Sequence, residues 1–430
     1  MSLRPLRMKR LDLWLQDRHY FGDLVKTLSA FGNLDLYVSV GRLPPRARGE
    51  ARVTGWVPAP SQEEIAEKVK EATEGCCEIS FADPDPEEEV PSLLNHHRFL
   101  KPFEKLVLSF GTPSYNEIDP TWFMMFSFML VFSFMFSDVG HGLVLATVGL
   151  AAFALSRKAD QAGGILSYVL QSGGLLIVCG LSGVVGGVLL GEFFGYHVSF
   201  LPSKIVLPEP LRIVLPFRTI DEPMRMFKLA LLVGTVHISF GLVLNIVNKL
   251  LIREFRAAFF EGVCWLWFYV GLMYSIFSYG LNLLALTGSP IMLWGILMPM
   301  LLMLLGRLSI GGLDGLVHFV DAVITSVSNT ISYLRILALA LAHGIISSMI
   351  LEVGGHNPIV AIIGSLPALA LEGLVVFIHS TRLMWVEWFS KFYKGGGKPF
   401  QAKIIFDWEL LGIPSPFLEA IQVATKQPAS

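Results

Sequence analysis

Arg335 is the residue in this chain most in need of a chemical explanation. It sits in an apolar run bounded by Asp321 and Glu352, the nearest acids in that run. At about 1.5 Å of rise per residue, both lie more than roughly 20 Å away along a helix. A guanidinium at the centre of a membrane span costs on the order of 2.5–3.5 kcal/mol on insertion scales, and a charge retained there marks an ion or substrate path by default. The plainer alternative is an arginine that is paired or snorkels near an interface. Ser328, Ser332, Arg335, Leu339 and His343 recur at spacings of three and four, which places one polar stripe on one helix face. The next apolar run carries Glu372, His379, Arg382 and Glu387. Those four could neutralise one another locally, Arg382 with Glu387 or with His379. Alternatively, the two polar stripes face each other and line an ion path.

Other polar residues read more blandly. Asp138 and His141 lie in a Gly-rich break, Ser137-Asp138-Val139-Gly140-His141-Gly142, where Asp138 suits the N-cap of the following helix. Glu192, in Gly191-Glu192-Phe193-Phe194-Gly195, falls at the end of an apolar run and reads as an interface residue. Cys76-Cys77 and His96-His97 match no zinc spacing. Cys179 and Cys264 read as buried apolar side chains. There is no Gly-rich phosphate loop with a lysine, no nucleophile motif and no HExxH. The sequence therefore points to no ATP site, no catalytic residue, no metal site and no cofactor.

These residues need a membrane to be positioned in. The chain has 430 residues, 53% hydrophobic and 16% charged, with a mean hydropathy of +0.58. Soluble domains carry about 25% charged residues. Four cysteines without paired spacing exclude a disulfide scaffold. A net charge of −2 gives no bulk basic signal for nucleic acid. Residues 1–120 hold 15 Lys/Arg and 19 Asp/Glu, and residues 121–430 hold 18 and 16, so the charge density falls sharply after residue 120. Eight apolar runs approach the roughly 20 residues a span needs: 121–137, 139–156, 164–191, 226–249, 258–285, 290–306, 319–350 and 359–392. The first two could also be one long span. With an internal N-terminus, Arg157, Lys158, Lys249, Arg253, Arg256, Arg307, Lys391, Lys394, Lys398 and Lys403 all fall inside, as the positive-inside rule asks. The loop 192–225 disagrees, because it holds Lys204, Arg212, Arg218 and Arg225 on the outside. The basic start has no apolar h-region after it, which keeps the first domain cytoplasmic, and eight spans then place both termini inside.

The N-terminal part reads as two strand–helix–strand repeats. Residues 11–15, 34–40, 51–57 and 76–81 suit strands, and 18–31 and 60–73 suit helices. Two such units suggest a small α+β ferredoxin-like lobe. The expected fold is thus mainly α. Its expected parts are a cytoplasmic lobe at 1–90, a linker at 91–120, a polytopic helix bundle at 121–410 and a cytoplasmic tail at 411–430.

Several motifs in order carry a family resemblance. They are Pro113-Ser114-Tyr115-Asn116-Glu117-Ile118-Asp119-Pro120-Thr121, then Phe136-Ser137-Asp138-Val139-Gly140-His141-Gly142, then Ser328-Asn329-Thr330-Ile331-Ser332-Tyr333-Leu334-Arg335 with Ala340-Leu341-Ala342-His343. Leu371-Glu372-Gly373, His379-Ser380-Thr381-Arg382-Leu383-Met384-Trp385-Val386-Glu387 and Lys391-Phe392-Tyr393-Lys394-Gly395 follow. With these, the chain resembles the membrane stator subunit of rotary V/A-type ATPases, called subunit a in eukaryotes and subunit I in prokaryotes. The resemblance implies a non-catalytic subunit that forms two ion half-channels against a proteolipid rotor ring and couples proton or sodium translocation to ring rotation. Arg335 would face the ring, whose subunits each carry a carboxylate in the bilayer. An opposite charge within about 4–6 Å lowers a carboxyl pKa by 1–3 units, which would force ion release and block a leak. Arg382 would support this barrier. Glu372 and His343 would lie on the outer half-channel and Glu387 on the inner one, with His379, Ser328 and Ser332 along the path. Implied partners are the rotor ring, the central-stalk-adjacent subunit, the peripheral stalks and the lipid of a prokaryotic plasma membrane. The family's cytoplasmic domain is usually several hundred residues. Here the distal lobe and helical hairpin would be missing near 41–49, which reduces the expected stalk contacts. A secondary ion transporter with midplane charges, or a non-transporting assembly paralogue, are the competing readings.

Overall fold

In a computed structural model the described residues are 8–15, 37–40, 51–156 except 73, 76, 86, 87 and 98, then 167, 170–280 except 199, 201–203 and 209, then 289–353, 358–400 and 404–405. The expected helix at 18–31, the segment 41–49, Cys76, the Arg157/Lys158 loop and the tail 411–430 lie outside them. The chain divides into two compact units.

One unit comprises Met1–Asn95, Gly111–Asp119 and Gly395–Ser430. Its strands are β1 (Met8–Leu15), β2 (Tyr37–Val40), β3 (Ala51–Pro58), β4 (Cys77–Ala82) and β5 (Ile404–Ile405), in the order β4-β1-β3-β2-β5. β1 runs antiparallel to both β3 and β4, with Leu11 opposite Gly55 and Phe81, and β5 pairs parallel beside β2. Helix α1 (Gln62–Ala72) buries Ile65 and Val69, four residues apart on one face, and keeps Glu63 and Glu64 in its first turn, where acids suit the helix dipole. The 395–400 segment, expected within the membrane part, belongs to this unit. Ser92 N–H donates to Lys398 O at 2.9 Å, and Phe400 N–H donates back to Ser92 O at 3.0 Å. Gly397 permits a close approach: a Cβ there would stand 2.2 Å from Pro113 O.

The other unit, His96–Phe110 with Pro120–Lys394, is mainly helical. Residues 101–110, expected as linker, form helix α2 (Lys101–Phe110), which buries Phe103 and Val107. Phe103 meets Phe128 edge-on at 6.0 Å. Among the described residues six helices are long and apolar enough to cross a membrane: α5 (Gly173–Leu190), α6 (Pro223–Leu251), α7 (Phe255–Tyr279), α8 (Met292–Ser309), α9 (Gly312–Val353) and a last one over Gly364–Phe392. The last begins as α10 (Pro358–Arg382) and continues through a π-helical stretch, Leu383–Phe389. The first two apolar runs make shorter helices, α3 (Thr121–Met135) and α4 (Val139–Leu155). Their 15 and 17 residues are below a full span, because the Asp138 break interrupts them. α9 has 42 residues, roughly 60 Å at 1.5 Å per residue. That is twice the hydrocarbon thickness, so it must tilt strongly or project from the bilayer.

Small residues let these helices meet backbone to backbone. A Cβ on Gly186 of α5 would fall 1.8 Å from Ser133 O of α3, and one on Gly180 would fall 2.3 Å from Ala146 N of α4. The core is aromatic: Phe128, Phe132, Phe136, Tyr333, Trp388 and Phe389 are all fully buried.

Candidate functional site

Two polar clusters form inside the helical unit, and each joins residues from different helices. The first is built on α9. The helix tightens at Tyr333, whose N–H bonds Thr330 O at 3.1 Å, and restarts with Ile336 N–H on Tyr333 O at 2.9 Å. Tyr333 is sealed, with its hydroxyl 2.6 Å from His237 Nδ1. That anchor leaves Ser328, Ser332 and Arg335 along an open groove with Ile331, Leu334 and Ala338. Arg335 is 23% exposed, and its Nη1 donates to Glu387 Oε1 at 3.0 Å, an acid only 2% exposed. Asn329 Nδ2 reaches Glu387 O at 3.4 Å. Arg335 therefore has a partner, but from the next helix rather than its own.

Glu387 lies within the π-helical stretch. Its carboxylate engages Arg335 of α9 rather than Arg382. Arg382 is exposed and makes no ion pair among the described residues, so the local Arg382–Glu387 and Arg382–His379 pairs are not formed. His379 is half-buried and its Nδ1 has no hydrogen-bond partner.

The second cluster centres on His343, two turns beyond Arg335. The polar stripe does not stay in the groove: His343 is 2% exposed and bonds Glu372 Oε2 of α10 through Nδ1 at 2.7 Å. Its ring stands 5.3 Å from that of His141 and 5.3 Å from Phe136. Asp138 caps α4, its Oδ1 accepting His141 N–H at 2.9 Å. Its Oδ2 accepts Gly195 N–H at 3.0 Å across the Glu192–Gly195 turn. Glu192, just past α5, is buried, and burial pushes its carboxyl up to about 7. Asp138, His141 and His343 converge within 4.8 Å. The cluster leaves no local trace in the sequence: Asp138 and His141 are neighbours, but nothing local links them to His343.

The structure thus separates the candidates into an Arg335–Glu387 pair beside an open groove and a sealed His343–Glu372 pair joined by Asp138 and His141. A model of the family described as "V-type ATPase 116kDa subunit family" matches residues 45–212 and 313–404, the segments that carry both clusters. The chain belongs to this family. It is similar to the A-type ATP synthase subunit I of Methanocaldococcus jannaschii, 30% identical over 381 residues, or 81% of this chain and 54% of that protein. It is also similar to the A-type ATP synthase subunit I of Methanothermobacter thermautotrophicus, 32% identical over 372 residues, covering 82% and 52%. The V-type ATP synthase subunit I 2 of Treponema pallidum is 31% identical over 219 residues, 47% of each chain. The chain spans about half the length of the curated relatives it matches.

Proposed function

We propose that this chain is the ion-conducting membrane stator of a V/A-type rotary ATPase or ATP synthase, non-catalytic by itself, working against a proteolipid rotor ring. The observation that carries the reading is Arg335: an intramembrane guanidinium, partly exposed in an open groove and held by a buried acid from the neighbouring helix. Apolar side chains on the same helix, including Ile324, Val327 and Ile331, are exposed around that groove. An exposed apolar face with one fixed positive charge suits a passing ring whose carboxylates lie in the bilayer. Glu387 orients the guanidinium without capping it. A ring carboxylate arriving at the groove meets a positive charge that favours its ionised form and releases its proton or sodium ion.

Glu372 and His343 serve the outer half-channel, and Glu387 marks the inner one, with Ser328, Ser332 and His379 along the path and Arg382 reinforcing the barrier. The sealed His343–Glu372 pair supports an outer site reached by a narrow route. Eight spans with both termini inside a prokaryotic plasma membrane, and a ferredoxin-like lobe whose sheet order β4-β1-β3-β2 fits that fold, complete the reading. The parts of this reading would be 1–90 for the lobe, 91–120 for the link and 121–410 for the ion-translocating domain, with the distal lobe and hairpin absent near 41–49.

ATP-driven ion uptake into vesicles holding the assembled complex tests it. R335A should abolish uptake while the complex stays assembled. Unchanged uptake would make Arg335 a structural residue, and an assembled wild-type complex that pumps nothing would favour an assembly role.

A further inference from the structure

His141 is buried to within 3% of its surface, yet neither of its ring nitrogens has a hydrogen-bond partner. His343 is in a similar position: Nδ1 is bound to Glu372, but Nε2 has none. A buried polar atom left unsatisfied costs about 1–3 kcal/mol, and here both rings carry one in the same neighbourhood. The Asp138 carboxylate stands beside them, with Oδ2 3.6 Å from His141 Nδ1. One donor atom from each of Asp138, His141 and His343 lies within 4.8 Å of the others.

We propose that Asp138, His141 and His343 form a transition-metal site that takes Zn2+ or a cation of similar ligand preference. Two imidazole nitrogens and one carboxylate oxygen are a donor set that suits Zn2+, with three protein ligands and a fourth position left for water. Tetrahedral bonds of about 2.0 Å put donor atoms roughly 3.3 Å apart, so the cluster needs a contraction of about 1.5 Å at most. Side-chain rotation of His141 can supply it, because no hydrogen bond holds that ring. His343 is already prepared. Its Nδ1 bond to Glu372 sets the ring's orientation and leaves Nε2 to the metal, the carboxylate–histidine–metal arrangement that raises ligand basicity. The charges also match, since Asp138 and Glu372 together balance a dication. Mg2+ and Ca2+ fit less well, because they favour six or more oxygen donors.

The binding claim does not depend on ion translocation. Only its consequence rests on the function proposed above: a cation bound through His343 would plug the outer half-channel.

The test uses the full chain purified in detergent, stripped with chelator and titrated with Zn2+, then with Co2+ as an optical probe. Wild type should retain about one Zn2+ per chain, with an X-ray absorption spectrum that requires two imidazole ligands. H141A and H343A should each weaken binding at least tenfold, and E372Q should weaken it 10–100-fold as loss of an outer-shell partner does. H141C should restore binding and add a thiolate charge-transfer band to the Co2+ spectrum. If the alanine variants fail to fold, the wild-type stoichiometry and ligand spectrum still decide. Sub-stoichiometric Zn2+, a spectrum without histidine, or unchanged binding in a folded H141A/H343A double variant overturns the site and leaves the space to water. Zn2+ trapped on the outer face of pumping vesicles separates the two claims. Stoichiometric binding without inhibition keeps the site and removes the outer path from His343.

Discussion

Arg335 and Glu387 are sealed to different degrees, so removing either one should have unequal effects. Glu387 is 2% exposed and Arg335 23%. R335A leaves the Glu387 charge buried and uncompensated, which costs about 3–5 kcal/mol when a buried pair is broken from one side. E387A leaves the guanidinium at an open groove, from which a snorkelling rotamer can carry it toward the interface. Its cost should be nearer 1–2 kcal/mol, between the values for exposed and buried pairs. The double variant removes both charges and should be less damaged than R335A alone. The expected coupling is about 1–3 kcal/mol, the range for residues in direct contact. The assay is equilibrium unfolding of the purified chain in mixed micelles, run on wild type, both single variants and the double. Additive single costs would refute the pairing, and an E387A cost equal to that of R335A would refute the asymmetry.

Two further perturbations probe the scaffold. G186A should destabilise the helical unit by about 1–3 kcal/mol or more, because the new Cβ would sit 1.8 Å from the backbone oxygen of Ser133 and α3 must shift; a variant as stable as wild type in the same unfolding assay would refute that close approach. Glu192 should make stability pH-dependent: its folded pKa of about 7 lies above the ordinary 4.5, so the folded state favours the protonated acid. Its contribution is therefore full below pH 4.5 and falls away as the pH rises to about 7, by about 3 kcal/mol in all. E192Q should flatten that slope in an unfolding series across the same range, and an identical slope in both proteins would refute the assignment.

What was legible in the sequence was local, and the site is not. Alternation along 51–57 and 76–81 marked strands close to those observed, and the Asp138 cap could be read from its spacing to His141 alone. Helix α2 lay in the stretch expected as linker, although Phe103 and Val107 stand four apart, a helical spacing. β5 was not legible, because two residues pairing parallel to a distant strand leave no periodic trace. Arg335 stood out because its own helix offered no acid within roughly 20 Å, and that inference holds even though Glu387 lies 3.0 Å away. Finding Glu387 as the partner required two facts that hydropathy does not encode. One is the π-helical stretch around Glu387, which changes the face that residue occupies relative to a regular α-helix. The other is the rotation of α10 relative to α9. A helix that is apolar on nearly all sides does not say which side meets its neighbour. The same gap hid the convergence of His343 with Asp138 and His141. Membrane helices can be placed along the chain from composition, whereas their chemistry depends on angles set by glycine contacts and single polar pairs between helices.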